Sequence, residues 1–312
     1  MGRAGCIGRQ PETRLRVTGY NAGRACGRAM QPLGALDVPM QQNLAAIESI
    51  VACPTCRGAL RFSADAVACT ACSARFPIQD GIPMFARIGS PAEASAQQKA
   101  ATSEKYQRAY QQDQRAAEYN AMYRDSWAKS LSTRREFRLL DRLLDSQGHC
   151  RTLLDLPCGG GRVSPPLARH TDLLIEADIG LGQVRYASQN GRVPTEQFWM
   201  TASGFEIPLQ DAAVDGTVCV RLNHHLPTAV ERERLVRELL RVSKRFVVMT
   251  FFDYASLKNR LRRLRGKPPK LTMRVDELRE LARTCGAELV SCPALFVIGS
   301  GHRYALMVKQ TK

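Results

Sequence analysis

Long apolar runs are missing from this sequence, and their absence limits where the protein can work. No stretch of the 312 residues approaches the ~20 consecutive apolar residues that a membrane span needs. The first residues also lack the apolar core of a secretory signal peptide. A hydrophobic content of 44% and a charged content of 24% are ordinary for a globular chain, so we expect a buried core and a cytoplasmic location.

A disulfide framework is also missing, although the chain has 11 cysteines. Four of them form two close pairs, and the other seven are scattered singly through apolar segments. In a chain of this length without a signal peptide, this arrangement favours reduced thiols and a bound metal over cystine cross-links.

Acidic residues are lacking from one segment near the C-terminus. Between Lys258 and Arg274 the sequence has eight basic residues and no acidic one, in a chain whose net charge is +16. Such a cluster attracts phosphate groups on nucleic acid, on a small acceptor or at a membrane surface. The alternative is a solvated face that binds no ligand.

Shifts in composition predict four segments. Residues 1–47 are Arg- and Gly-rich and predict a disordered extension, 48–87 hold the paired cysteines, 88–103 form an Ala-, Ser- and Gln-rich linker, and 104–312 form the large domain. The large domain begins with a predicted helix that carries three tyrosines, Tyr106, Tyr110 and Tyr123, and a second amphipathic helix follows from about Thr133 to Gln147.

From residue 152 onward, short apolar strands alternate with helices. This order predicts an α/β fold with a mostly parallel sheet covered on both faces, closed by an antiparallel C-terminal hairpin. The seven predicted strands are Thr152–Leu156, Asp172–Ala177, Phe198–Ala202, Gly216–Leu222, Phe246–Phe252, Leu289–Val297 and Arg303–Lys309.

The two cysteine pairs have the spacing of a metal site. Cys53 and Cys56 form one CxxC knuckle, and Cys69 and Cys72 form a second, so four thiolates are available for tetrahedral zinc. Unpaired buried cysteines or a redox role are the alternatives. A zinc with four protein ligands has no open position, so we expect a structural site.

The residues around these knuckles narrow the prediction. The runs at 53–60 (CPTCRGAL) and 76–83 (FPIQDGIP) resemble the zinc ribbon of the small activator subunit of tRNA and translation-factor methyltransferases. That ribbon is also fused to the front of many bacterial methyltransferases. The resemblance covers about residues 50–85.

A glycine-rich turn follows the first predicted strand of the large domain. The run at 153–162 (LLDLPCGGGR) lacks the GxGxxG fingerprint of NAD-binding proteins. It resembles motif I of the class I S-adenosylmethionine-dependent methyltransferases (type 11-like), and the resemblance extends over about residues 135–312. It implies a Rossmann-like sheet and a site in which Asp155 lies near the methionine part of the cofactor, beside Pro157, Gly159 and Gly161.

Further cofactor contacts follow from the same resemblance. Asp178 aligns with the acid that accepts hydrogen bonds from the ribose hydroxyls, whereas Glu176 lies deeper in the sheet; the alternative for Asp178 is a helix cap. Ser203 stands where the family has an Asp that contacts adenine. The implied cofactor-binding set is Asp155, Pro157, Gly159, Gly161, Asp178, Ser203, Gly204, Phe205 and Asn223.

Two histidines, His224 and His225, end the fourth strand at the edge where ligands bind in open α/β sheets. Methyl transfer to a hydroxyl or amine requires removal of a proton, so one of them is a candidate general base. Packing or loop capping is the alternative role.

The sequence is consistent with three functions. The first is methyl transfer to an O or N of a small-molecule acceptor, including anionic or lipid-linked ones. The second is RNA methylation through the basic segment 258–274, although no Asn-Pro-Pro-Tyr motif ends the fourth strand. The third is a non-catalytic zinc-ribbon binding protein with a degenerate cofactor fold.

Overall fold

The structure is a computed structural model that describes residues 44–86, 127–267 and 272–310. The chain divides into two units at Pro39, and all described residues belong to the second, Met40–Lys312. The predicted disorder of residues 1–43, the linker at 88–103 and the tyrosine-bearing helix before residue 127 lie outside the described residues.

Seven strands of the described chain form one sheet, which confirms the predicted α/β class. In spatial order they are β10-β11-β9-β8-β5-β6-β7, and only β11 runs against its neighbours, pairing antiparallel with β9 and β10. Their bounds are β5 Cys150–Asp155, β6 Thr171–Asp178, β7 Glu196–Thr201, β8 Val214–Cys219, β9 Ser243–Phe252, β10 Ala287–Ser291 and β11 His302–Lys309.

Helices connect these strands and cover the sheet. Several of their boundaries follow from local chemistry; for example, the hydroxyl of Thr228 accepts from the amide of Glu231, whose carboxylate accepts from the amide of Thr228, and this capping box fixes the start of α5. The helices are α1 Leu44–Ile50, α2 Trp127–Asp145, α3 Ser164–Ala168, α4 Leu181–Asn190, α5 Ala229–Val242, α6 Leu257–Leu264 and α7 Val275–Thr284.

The cysteine-rich segment folds into a second, four-stranded antiparallel sheet in the order β1-β2-β3-β4. Its strands are short, and their bounds are β1 Leu60–Phe62, β2 Ala66–Cys69, β3 Arg75–Gln79 and β4 Ile82–Pro83. The segment that resembles a zinc ribbon therefore forms a small sheet of its own.

This small sheet docks against β7, the edge strand of the large sheet. Met84 bridges to Thr201 in a parallel sense, and the amide of Phe85 donates to the carbonyl of Thr201 at 3.2 Å. On the opposite side, Val51 bridges to Leu209. Buried residues of the ribbon share one hydrophobic cluster with part of the large sheet, and the ribbon covers the edge of β7 that would otherwise be open.

Several sequence expectations need correction. The prediction of disorder through residue 47 is wrong for residues 44–47, because α1 begins at Leu44, and Ile47 is buried in the shared core. The strand predicted for 289–297 ends at Ser291, because the chain leaves the sheet there at a register shift. The helix predicted from Thr133 begins at Trp127, and α6 within the basic segment was not predicted.

None of the helices within residues 44–86, 127–267 and 272–310 is both long and apolar enough to cross a membrane.

The packing of β8 against β9 requires a glycine at position 216. Gly216 lies opposite Phe246, and a Cβ placed on Gly216 would come within 2.3 to 2.7 Å of the Phe246 ring. We expect Gly216→Ala to lower the free energy of unfolding by about 2 kcal/mol, because a filled core cannot accept the extra atom without distortion. Urea or thermal unfolding measures the change.

A double-mutant cycle provides the control. Shortening the ring with Phe246→Leu is expected to relieve the clash, so the double variant should be more stable than the sum of the two single changes predicts. Strictly additive losses would contradict the proposed contact.

Candidate functional site

The four paired cysteines converge at one point of the ribbon. Their Sγ atoms all lie within 4.8 Å of one another, with 3.7 Å between Cys53 and Cys72 and 3.5 Å between Cys56 and Cys69. Four thiolates around a tetrahedral zinc with bonds near 2.3 Å stand about 3.8 Å apart. The donor set and the spacing therefore fit a closed zinc site.

The main chain around these thiols also has the form of a metal knuckle. The amides of Ala71 and Cys72 donate to Cys69 Sγ at 3.4 and 3.5 Å, and they lower the pKa of that thiol to about 6. Gly58 approaches so closely that an added Cβ would lie 3.2 Å from both Cys56 Sγ and Cys69 Sγ. Both features favour thiolates whose positions suit the binding of a metal cation.

The predicted cofactor turn connects β5 to α3. Two of its glycines have positive φ, +55° at Gly159 and +76° at Gly161, which other residues rarely adopt. Their surroundings differ: a Cβ on Gly161 would meet the Cα of Gly191 at 3.0 Å, whereas a Cβ on Gly159 would meet no atom within 4 Å. Gly161 is required for packing, and Gly159 borders open space.

Asp178 holds this turn against the end of β6. Its Oδ2 accepts from the amide of Gly159 at 3.0 Å, and its Oδ1 accepts from the amide of Gly180 at 2.9 Å. Burial raises the pKa of this carboxyl to about 6, against the opposing effect of the amide donors. The hydrogen bond from Gly180, at the start of the next helix, resembles the helix-capping role considered above. The hydrogen bond from Gly159 joins the end of β6 to the glycine turn.

Asp155 is the most unusual acid of the site. It ends β5 fully buried, and neither carboxylate oxygen has a hydrogen-bond partner among the described residues. Burial, and secondarily the charge of Glu176, raise its pKa well above the ordinary value of an aspartate. A buried carboxyl without partners is costly, and such groups concentrate at functional sites.

Glu176 is satisfied by its own network, so it is not an orphan like Asp155. It accepts hydrogen bonds from Trp199 Nε1 and Gln197 Nε2, both at 2.8 Å, and from the hydroxyl of Ser164. Sequence reasoning placed Glu176 deep in the sheet correctly but did not find its partners, which come from β7 and α3.

A second buried acid, Glu136 on α2, was missed entirely. It binds Arg162 of the glycine turn, Arg221 after β8 at 3.2 Å, and the hydroxyl of Tyr304 on β11. The two arginines lower the pKa of Glu136 against the opposing effect of burial. No sequence signal marks it, because it stands among arginines on an amphipathic helix.

The residues predicted at the adenine position are engaged within the chain. The hydroxyl of Ser203 accepts from the amide of Phe205 at 3.2 Å, and the guanidinium of Arg234 lies 5.3 Å from the centre of the Phe205 ring. A Cβ on Gly204 would come within 2.9 Å of Leu235, so this glycine is required for close packing. Their predicted contact with a cofactor stays a prediction.

The two predicted catalytic histidines lie in a short 3₁₀ helix, Asn223–His225, after β8. The ring centre of His224 lies 4.3 Å from that of His225, 4.4 Å from Phe252 and 5.4 Å from His302. Loss of hydration lowers the pKa of His225, which favours the neutral base form. Phe252 and His302 were not found from the sequence, because they come from β9 and β11.

The ribbon reaches the cofactor turn directly. Ile82 of β4 packs in one cluster with Cys158 of the turn and with Leu181 and Val184 of α4. Asp80, two residues earlier, pairs with Arg185 of α4 at 2.7 Å. The ribbon therefore forms part of the wall behind the site.

Comparison with known proteins identifies the large domain. Residues 154–248 match the family model described as a methyltransferase domain. The large domain of this chain has the class I methyltransferase fold. No curated protein matches the chain.

Solved structures resemble the large domain of this chain. Magnesium protoporphyrin IX methyltransferase from Synechocystis PCC 6803 with bound SAH is 16% identical, with a TM-score of 0.53 over 62% of this chain and 93% of that one. The same enzyme with bound SAM gives a TM-score of 0.50 over 62% and 89% at 16% identity. The N-methyltransferase NodS from Bradyrhizobium japonicum WM9 is 15% identical, with a TM-score of 0.47 over 58% and 97%.

The ribbon of this protein should depend on its four thiolates. We expect Cys56→Ser, or a strong chelator, to release about one zinc ion per chain and to lower the midpoint of thermal unfolding, because so small a sheet has little core of its own. Elemental analysis and calorimetry measure both effects. Cys285→Ser, outside the cluster, should change neither, and equal losses in the two variants would contradict a metal role.

Proposed function

We propose that this protein is an S-adenosylmethionine-dependent methyltransferase that methylates an oxygen or nitrogen of a small-molecule acceptor, with a structural zinc in its ribbon. The observation that carries the proposal is the pairing of an open glycine at position 159 with an orphaned buried acid at position 155. Both lie at the carboxyl end of β5, on the edge of the parallel sheet where open α/β folds bind ligands.

The residues present fit this cofactor. A nucleoside that carries an amino-acid group needs close approach to the main chain, acceptors for its ammonium group and acceptors for its ribose hydroxyls. Gly159 leaves room for the approach, Asp155 has two oxygens without partners, and Asp178 lies one strand away. In this proposal Asp155 binds the methionine end, and Asp178 binds the sugar while it holds the turn.

When bound, S-adenosylmethionine would supply an electrophilic methyl group, and the acceptor's lone pair would bond to that carbon as the carbon–sulfur bond breaks and S-adenosylhomocysteine leaves. The chain's own task is to orient the acceptor and to take its proton. His225, with its lowered pKa, and His224, stacked between His225 and Phe252, are positioned to accept that proton at a ring nitrogen.

RNA methylation is the second candidate, favoured by the basic segment 258–274. Within that segment, however, Arg263 is held by the carbonyl of Tyr254 and Lys258 by the carbonyl of Gly299, and the leucines of α6 are exposed. A protein surface that binds RNA would present cationic side chains to the phosphates and hydrogen-bond donors or stacking rings to the bases, and a stripe of exposed leucines serves neither contact. We therefore favour the small-molecule acceptor.

Calorimetric titration with S-adenosylmethionine tests the proposal. We expect Asp178→Asn to weaken binding by at least about tenfold, because it removes charge from an acceptor of hydrogen bonds. Asp155→Asn should also weaken binding while leaving the free energy of unfolding unchanged or raised, because it removes a costly buried acid.

The matched control is Asp172→Asn, an exposed aspartate near the opposite end of β6 that contacts His149. It should bind the cofactor as the native protein does. Absence of any binding heat in folded, metal-loaded protein would refute the proposed activity.

Binding should also depend on pH through Asp178. Its pKa in the folded protein is about 6, above the ordinary value, so we expect cofactor affinity to fall as the pH drops through about 6 and the carboxylate takes up a proton. The stability contributed by the same group changes in the opposite direction. The native state holds this proton more tightly than the unfolded chain, so that contribution is largest at low pH and is lost between about pH 4 and about pH 6.

Asp155 and Glu176 also have raised pKa values. Comparing the native protein with Asp178→Asn therefore separates the contribution of Asp178 to the pH dependence of cofactor affinity from theirs. The variant should show a flatter affinity profile in titrations across this range. An unchanged profile would assign the dependence to another acid.

A further inference from the structure

Helix α6 presents its apolar side to solvent. Leu257, Leu261 and Leu264 are all exposed, and Leu264 is 82% exposed. They stand at spacings of four and three residues, which places them on one face of the helix. In an ordinary surface helix such a stripe faces the core.

The polar side of α6 is the side that faces the protein. Asn259 is buried, and its Nδ2 donates to the carbonyl of Asp253 at 2.7 Å. Arg263 donates to the carbonyl of Tyr254 at 2.7 Å, and its guanidinium lies 3.9 Å from the centre of the Tyr254 ring. Because these contacts fix the rotation of the helix, the outward direction of the leucines is built into the fold.

A neighbouring loop adds to the same apolar surface. Val297 and Ile298 are 78% and 75% exposed, and the next residue, Gly299, accepts a hydrogen bond from Lys258 Nζ of α6 at 3.0 Å. The described chain has eight exposed large apolar residues, and five of them lie here. We call these five residues the apolar patch: Leu257, Leu261, Leu264, Val297 and Ile298.

Positive charge surrounds the apolar patch. Arg260, Arg265 and Lys267 are exposed on or just after α6. From Tyr254 to Val275 the sequence contains no acidic residue. An apolar stripe flanked by cations matches the anionic headgroups and the acyl boundary of a bilayer, whereas RNA offers phosphates without an apolar layer.

We propose that the apolar patch docks this protein on the surface of an anionic lipid bilayer. The leucines, Val297 and Ile298 enter the headgroup boundary, and Arg260, Arg265 and Lys267 bind the lipid phosphates. The α6 helix lies in the plane of the membrane and does not cross it.

The position of the apolar patch relates it to the catalytic end of the sheet. Helix α6 follows the carboxyl end of β9, and the loop with Val297 precedes β11, where His302 pairs with Phe252 in the histidine cluster. A docked protein would therefore present this edge of its sheet toward the bilayer. For the proposed function, which this step assumes, the acceptor would be carried at an anionic lipid surface.

Flotation of the full-length, zinc-loaded protein with lipid vesicles tests the docking, without any methyl donor. We expect binding to vesicles of equal parts phosphatidylcholine and phosphatidylglycerol, and little binding to phosphatidylcholine alone. The double variant Leu261→Ser, Leu264→Ser should lower the partition coefficient by at least about tenfold. The double variant Arg265→Gln, Lys267→Gln should lower it about fivefold per charge.

Matched controls lie on other helices. Val230→Ser removes an equally exposed apolar residue from α5, and Arg138→Gln with Arg142→Gln removes two exposed charges from α2; neither should change partition. Unchanged circular dichroism verifies the fold of each variant.

Three outcomes would overturn the proposal. The first is equal binding to both vesicle types. The second is vesicle binding that the Leu261→Ser, Leu264→Ser variant leaves unchanged. The third is binding to a folded RNA that is tighter than binding to the vesicles and that is reduced only in the Arg265→Gln, Lys267→Gln variant. The third outcome would favour the RNA candidate. Because the assay contains no methyl donor, failure here leaves the proposed enzymatic activity to its own titration.

Discussion

The double hydrogen bond made by the Asp178 carboxylate is the interaction on which the site depends. One oxygen binds the amide of Gly159 and the other binds the amide of Gly180, so a single side chain sets the distance between the turn after β5 and the start of α4. Both segments lie at the carboxyl edge of the sheet, outside the strands and their hydrogen-bonded pairs. The cost of burying this charge, expressed in its raised pKa, is offset by the two amides it satisfies. The open space beside Gly159 and the unpaired oxygens of Asp155 lie next to this pair of hydrogen bonds.

The zinc ribbon belongs to the same frame. A parallel sheet with an uncovered edge strand exposes unpaired main-chain groups, and here Met84 and Phe85 occupy that edge along β7. The ribbon then continues inward through Ile82, which packs with Cys158 in the cofactor turn. A small sheet with little core of its own thus stiffens a large one, provided that its four thiolates hold a metal. Arg57 strengthens the junction, since it donates to the carbonyl of Ile207 and pairs with Glu238 of α5 at 3.0 Å.

The sequence was sufficient for features that depend on local pattern. Strand and helix alternation predicts the sheet, and the CxxC spacing predicts the convergence of Cys53, Cys56, Cys69 and Cys72. Features assembled from distant elements could not be predicted in this way. Glu136 and Tyr304 are 168 residues apart, and His302 joins His224 only because β11 enters between β9 and β10. Pairings of this kind are set by tertiary packing, and they leave no periodicity in either segment.

The prediction missed α6 for a different reason, which bears on how the protein works. Pattern analysis assumes that apolar residues at helical spacing face the core, and for a segment as basic as this one it predicted a phosphate-attracting cluster or a solvated face, with no helix. The structure reverses that assumption, because Asn259 and Arg263 anchor the polar side while Leu261 and Leu264 face outward. An outward leucine stripe gives no stability to the isolated fold, and its exposure favours association. The apolar patch lowers solubility and lies at the carboxyl edge of the sheet. Binding to a partner outside the protein best explains why it is exposed. Fixed positive charge beside the apolar residues limits the choice of ligand to one that offers phosphates and hydrocarbon together.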